Sequence, residues 1–368
     1  MKVTVLQENL ARGLSIVARA VASRSTLPVL GNILLATDGG LLRLSATNLE
    51  IGLSCWVPAK IEAEGAITLP AKTLVDVVGT YPNDEIKLTL DTVEQAVKVK
   101  CGKSQTKVKG IAGGEFPPMP ASDKERILVD AAEFKLACTQ TVIAVAEDEA
   151  RPVLNGVRLL LKNGKAILDA ADGFRLSRRT VAIPEVTDAE AIIPSKAIET
   201  LGKVMGETLG VAIEAGRVIF RSGDVELVAQ LVEGKYPDLD QVIPSQYATR
   251  ATLPTAALAK AVKQTKVFAR DGSKIATLTI TPQNGVPGSI KVSSQAEVTG
   301  NTESTVEADI EGGEMTISFN VDYLSDALSV IKTPKVILDV NAPTSPGVLR
   351  QAGDDSYLHV LMPMHLGA

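Results

Sequence analysis

The chain has 368 residues, 45% hydrophobic and only 3% aromatic, with a formal net charge of −5. That length allows two or three domains of about 100–200 residues each, with cores built mostly from small aliphatic side chains. Cys55, Cys101 and Cys138 are odd in number and widely spaced. They exclude a disulfide framework and a CxxC metal or redox motif, and a reducing cytoplasm is expected. The opening MKVTVLQENLARGL carries no secretory pattern, and no apolar run approaches the ~18 residues of a membrane span. The expectation is a soluble cytoplasmic protein. An acidic balance does not suggest a nucleic-acid binder, although net charge says nothing about how charge is distributed.

Taken in chain order, the elements recur. NLARGLSIVARAV (from Asn9), EFKLACTQTVIAV (from Glu133) and ALAKAVKQTKVFA (from Ala257) read as helices placed 124 residues apart. The strands LSATN (from Leu44), LDAAD (from Leu168) and VSSQA (from Val292) keep the same spacing. LPAKTLVDVV (from Leu69), IPSKAIETLG (from Ile193) and FNVDYLSDAL (from Phe319) each read as a strand end, a polar cap and a short amphipathic helix. Three elements in register across three copies define an internal repeat, visible in pattern more than in residues.

Each copy therefore reads as strand, long helix, several strands, short helix, several strands. In EIKLTLDTVEQAVKVKC, Val93, Val97 and Val99 are expected to alternate with polar neighbours along a strand. DGG (38–40), KNGK (162–165) and EGGE (311–314) mark hairpin turns, which imply antiparallel sheets. Proline-bearing linkers, GGEFPPMPASDKE (113–125) and KYPDLDQVIPSQ (235–246), separate the copies, with Phe116 and Tyr236 at corresponding places. The fold class expected is α+β, three tandem domains spanning 1–120, 121–245 and 246–368.

Catalytic signals are sparse. The two histidines, His359 and His365, both lie near the C-terminal end, so no Ser-His or Cys-His pair is spaced like a triad and a metal cluster would lack its commonest ligand. DGSK (271–274) resembles the end of a phosphate loop but lacks the GxxxxGK[ST] spacing and reads as a turn. The run Glu147, Asp148, Glu149 reads as a solvated turn, although a carboxylate-based enzyme is the alternative function to weigh. No catalytic residue, metal or cofactor is assigned.

Charge is patterned. Arg12, Arg19 and Arg24 follow one another without an acid, as do Lys260, Lys263, Lys266 and Arg270. The middle copy offers Lys135, and the short helices add Lys72, Lys196 and Lys203. These are ordinary solvated faces or a surface for phosphates; with no aromatic or amide cluster to read bases, any nucleic-acid binding is expected to be sequence-independent. Lys98, Lys100, Lys103, Lys107 and Lys109 load one pair of strands, whereas Glu297, Glu303, Glu307, Asp309, Glu311 and Glu314 load a late segment. Charged edge strands resist aggregation. Opposite charges on the two end copies also suit a head-to-tail contact between chains.

RSTLPVLGN (24–32), RPVLNGVRL (151–159), ADGFRLS (171–177), EGKYPDLDQVIP (233–244) and the terminal VLMPMHL (360–366) together resemble the bacterial DNA polymerase III beta subunits, the sliding clamps. The resemblance covers the whole chain. It implies a head-to-tail homodimeric ring around duplex DNA, without catalytic activity, tethering the replicative polymerase, the clamp loader and other proteins. Six domains would bring twelve helices around the hole. At about 9 Å between axes they leave a bore of ~25 Å, wide enough for a hydrated duplex. The resemblance also implies an apolar cleft for partner peptides between the second and third domains. Its walls would be Leu154, Ala171, Gly173, Phe174, Arg175 and Leu176; then Pro237, Gln241 and Val242; then Asn320, Tyr323, Val360, Met362, Pro363 and Met364. Methionines suit a site that accepts many partners, because the side chain repacks. Arg24 would be a DNA contact. A ring or adaptor that binds no DNA is the third reading.

Overall fold

The computed structural model describes residues 1–364 apart from 23, 121–123, 149, 270–273, 284–285 and 297–299. Arg270, Glu149, Glu297, most of DGSK, His365, Gly367 and Ala368 thus lie outside the described residues. Six α-helices occur among the described residues: α1 (Gln7–Val17), α2 (Ala71–Gly79), α3 (Ala131–Val142), α4 (Ser195–Val204), α5 (Thr255–Ala269) and α6 (Val321–Val330). They fall where the repeat expects one long and one short helix per copy. The strand pairs are antiparallel, as the hairpin signals predict.

The chain divides into two compact units, Met1–Ala132 with Glu199–Leu231 and Glu133–Ile198 with Val232–Ala368. The middle copy is therefore shared. In the first unit, a five-stranded sheet ends in the lysine-rich strands Ala96–Cys101 and Ser104–Lys109. A nine-stranded sheet carries Ile51–Pro58 of the first copy against Val225–Gln230 of the middle copy. Helix α1 lies close on this sheet because position 13 has no side chain: a Cβ on Gly13 would come within 2.8 Å of Leu44 and Val57. In the second unit, one twelve-stranded sheet runs through both copies. Its middle junction is Arg175–Ala182 of the middle copy against Asp354–Leu361 of the last. Helices α5 and α6 pack on its third-copy core through Leu258, Val262, Leu324 and Leu328.

Two expectations change, and the acidic segment gains a register. Val93 is 92% exposed, in the turn between Glu85–Asp91 and Ala96–Cys101, where Asp91 Oδ1 accepts from its N–H at 3.0 Å. The local side-chain bond wins over strand propensity. A polar cap serves α6, whose Asn320 side chain accepts from the backbone of Asp322 and Tyr323, but Pro70 stands at the start of α2 and makes no such bond. The acidic strand, Gly300–Gly312, divides its pairing: Gly300–Ala308 pairs with Gly288–Ala296 and Asp309–Gly312 with Thr249–Thr252, so each half is paired on one side among the described residues. Its charges are met locally, with Lys291 3.5 Å from Glu303 and Lys335 3.3 Å from Asp309.

Candidate functional site

The second unit builds a cleft at its strand junction. Leu176 pairs with Val360 across the ladder, so both project to one face. There they pack with Ala171, Tyr236, Leu239 and Val348. The next residue, Leu361, projects oppositely into the core under α5 and α6. The apolar terminal stretch is thus a central strand, with Val360 and Leu361 each 1% exposed.

A tight turn forms one lip. Asp172 Oδ1 accepts from the backbone of Phe174 at 2.8 Å and of Arg175 at 2.9 Å. Gly173 has φ of 94°, a left-handed conformation that costs glycine little. Phe174 is left 58% exposed at the tip. Its carbonyl accepts from Met362 N at 2.9 Å, which aims the tail along the lip, and Met364 N then donates to the Ser318 carbonyl at 2.8 Å.

The linker forms the other wall. Tyr236 is buried, its hydroxyl accepting from Ala171 N at 3.2 Å, and burial pushes its phenol well above the ordinary range. Behind it, Asp169 is fully buried between Arg158 and Arg178. Arg178 also reaches Asp240 of the linker at 2.5 Å, and that bond holds the Asp240 carboxyl below its usual range. The wall is therefore tied to the sheet by charge as well as by packing.

The resulting cavity, about 190 Å³, is lined by Leu154, Ala171, Gly173, Arg175, Leu176, Pro237, Leu239, Val242, Val360 and Met362. Nine of these were expected from sequence. Leu239 was not; its signal was the spacing from the buried aromatic Tyr236. Phe174, Gln241, Asn320, Tyr323, Pro363 and Met364 do not line it. Asn320 is engaged as the α6 cap, and Gln241 donates to Asp238 at 3.0 Å. Arg175 is the cavity's one charge, and it is already neutralised. Its guanidinium contacts Asp172 at 3.1 Å and Asp326 at 2.8 Å and lies 4.2 Å from the Tyr323 ring centre. An apolar cavity with a satisfied cation suits an apolar side chain, not proton transfer.

The basic residues fare differently from one another. Arg19 and Arg24, Lys72, Lys135, Lys196, Lys203, Lys260 and Lys263 are exposed. Lys260 and Lys263 lie on α5 opposite its buried residues Leu258, Ala261, Val262 and Thr265. Two of the expected phosphate contacts are instead engaged by carboxylates: Arg12 with Asp224, and Lys266 with Asp322 at 2.8 Å. Each lies near an acid from a distant part of the sequence, which helix-local charge counting misses. Among the described residues, no group of three or more His, Cys, Asp or Glu is placed to hold a metal ion, and no helix is long and apolar enough to cross a membrane.

Family models for the DNA polymerase III beta subunit match along the chain. The N-terminal domain matches residues 1–120, the central domain 128–238 and the C-terminal domain 240–365. The beta sliding clamp of Synechococcus elongatus is 31% identical over 377 residues, covering 100% of both chains. The crystal structure of the DNA polymerase III subunit beta from Pseudomonas aeruginosa aligns over 100% of each chain with a TM-score of 0.91 and 28% identity. The DNA polymerase sliding clamp from Bacillus subtilis reaches a TM-score of 0.94 over 100% of each chain, a likeness of fold at 24% identity. With three tandem clamp domains and a relative of this similarity along its full length, the chain belongs to the DNA polymerase III beta subunit family, the beta sliding clamps.

Proposed function

We propose that this chain works as a processivity clamp: two copies close head-to-tail into a ring around duplex DNA. The ring tethers the replicative polymerase, is opened by a clamp loader, and has no catalytic activity of its own. It acts in the cytoplasm. The domain boundaries proposed are 1–120, 121–245 and 246–368. Partners insert a short apolar peptide into the cleft of Leu176, Pro237, Val242, Val360 and Met362. The observation that carries this reading is that cleft: an apolar cavity walled by linker, turn and tail, whose single cation is already neutralised.

Duplex DNA is held without sequence preference by exposed basic side chains, with Lys260 and Lys263 as the leading pair. Lysines at several ångströms from phosphate act through water and without register, which permits sliding. The lysine-rich strand Ser104–Lys109 ends its sheet and is free to meet a second chain.

The test is retention on closed circular DNA. Light scattering at micromolar concentration is expected to give a dimer. The loaded protein is expected to stay on the circle and leave once the DNA is linearised. A monomer, or equal loss from circular and linear DNA, would overturn the reading.

A further inference from the structure

We propose that the junction of the first and middle copies carries a second docking groove, for a short extended peptide that pairs an apolar side chain with a basic one. The groove repeats the backbone frame of the cleft above bond for bond. Asn48 Oδ1 accepts from Glu50 N at 3.1 Å and Ile51 N at 2.8 Å, as Asp172 does from Phe174 and Arg175. Leu49 has φ of 78° where Gly173 has 94°. Gln230 N donates to the Glu50 carbonyl at 2.9 Å, as Met362 N does to Phe174. Gly52 pairs with Val228 as Leu176 pairs with Val360, and buried Phe116 stands where Tyr236 does.

The floor is preserved by an exchange of side chains. Gly52 removes the bulk that Leu176 supplies, and Met119, three residues after Phe116 as Leu239 is after Tyr236, fills the space. A Cβ on Gly52 would lie 2.5 Å from the Met119 methyl. A groove of about 260 Å³ remains beside it. Its floor is an unbranched thioether that can repack around different side chains.

The rim differs in chemistry, and this sets the ligand. Glu50 takes the place of Phe174, and Ile51 the place of Arg175. Arg217, at the opposite rim, is held by Glu214 at 2.6 Å. No ion pair to Glu50 is formed among the described residues. The groove therefore offers one uncompensated carboxylate beside an apolar floor, the complement of a peptide with a basic residue next to an apolar one.

The inference extends the peptide reading of the other cleft, and one experiment separates the two. A random heptapeptide library is selected on the full-length protein, and affinities are then measured on Glu50→Lys and Met362→Asp, both exposed or partly exposed positions. Two classes are expected. One weakens about tenfold or more with M362D and ignores E50K. The other, enriched in lysine or arginine, weakens about tenfold with E50K and ignores M362D. Met119→Ala, which deepens the floor, is expected to shift the second class toward larger apolar residues. Absence of any E50K-sensitive class overturns the second groove. Absence of an M362D-sensitive class instead overturns the peptide reading of the first cleft and leaves this groove standing.

Discussion

The two copy-to-copy strand junctions have the same backbone and opposite interiors. In the first unit, Leu53 faces Leu227 across the junction ladder, and Ser45 and Ser54 share a buried hydrogen bond of 2.8 Å. At the corresponding places of the second unit, Ser177 faces His359, and Asp169 lies between Arg158 and Arg178. At these positions one junction is sealed by apolar contact and a neutral hydroxyl pair, its charge lying at the neighbouring Glu226, which Arg126 meets at 3.1 Å. The other buries an imidazole and a charged cluster that reaches out to the linker wall. A sheet junction tolerates either interior, so the charged version is there for what it holds in place, namely Asp240 and the wall of the cleft.

The severest break is deletion of residues 360–368. It removes Val360 and Leu361, each 1% exposed, and is expected to cost about 5 kcal/mol, read as loss of the cooperative melt. Next comes an exchange of the two interiors. Leu227→His is expected to cost about 3 kcal/mol, because an imidazole without partners replaces a packed leucine. His359→Leu is expected to stabilise by about 1–2 kcal/mol, since both its ring nitrogens are buried with no hydrogen-bond partner among the described residues.

That second variant also carries a pH signature. Burial, with a smaller contribution from Arg175, pushes the His359 imidazole down to about 3 from its ordinary 6.5. Below pH 6.5 the unfolded chain therefore takes up a proton that the folded chain refuses. The wild type loses stability as pH falls from 6.5 toward 3, and His359→Leu is expected to flatten that slope in denaturant titrations. Asp169→Ala strands two arginines and is expected to cost about 3 kcal/mol, while Ser45→Ala costs about 1 kcal/mol. Equal losses would mean the charged cluster adds nothing to the second junction. The smallest effect on folding belongs to Met362→Asp, 39% exposed as methionine, which is expected to leave the melting temperature unchanged while weakening partner-peptide binding.

The repeat was legible because it is written in periodicity: a helix every 124 residues survives the loss of identity. The cleft was legible only through the family resemblance carried by its turn, linker and tail motifs. What the sequence withheld depends on register between distant strands. Nothing local to Ser177 says that it opposes His359, or that strand Gly300–Gly312 changes partner between Ala308 and Asp309. Arg12 looked like a free cation because its acid, Asp224, is 212 residues away. Asn320 was expected in the pocket from the family resemblance, yet helix capping is the nearer demand on its side chain.

The pairing of Arg175–Ala182 with Asp354–Leu361 has a consequence for synthesis. On the ribosome the earlier strand emerges long before its partner is made, and such long-range pairing is slow. Until then one of its edges stands unsatisfied. Arg175, Arg178 and Arg179 charge that waiting edge and discourage it from recruiting another nascent chain. Ile51–Pro58 waits similarly for Val225–Gln230 with no charged side chain at all, IGLSCWVP. Of the two waiting edges, it is the one with less charge to keep it from another chain.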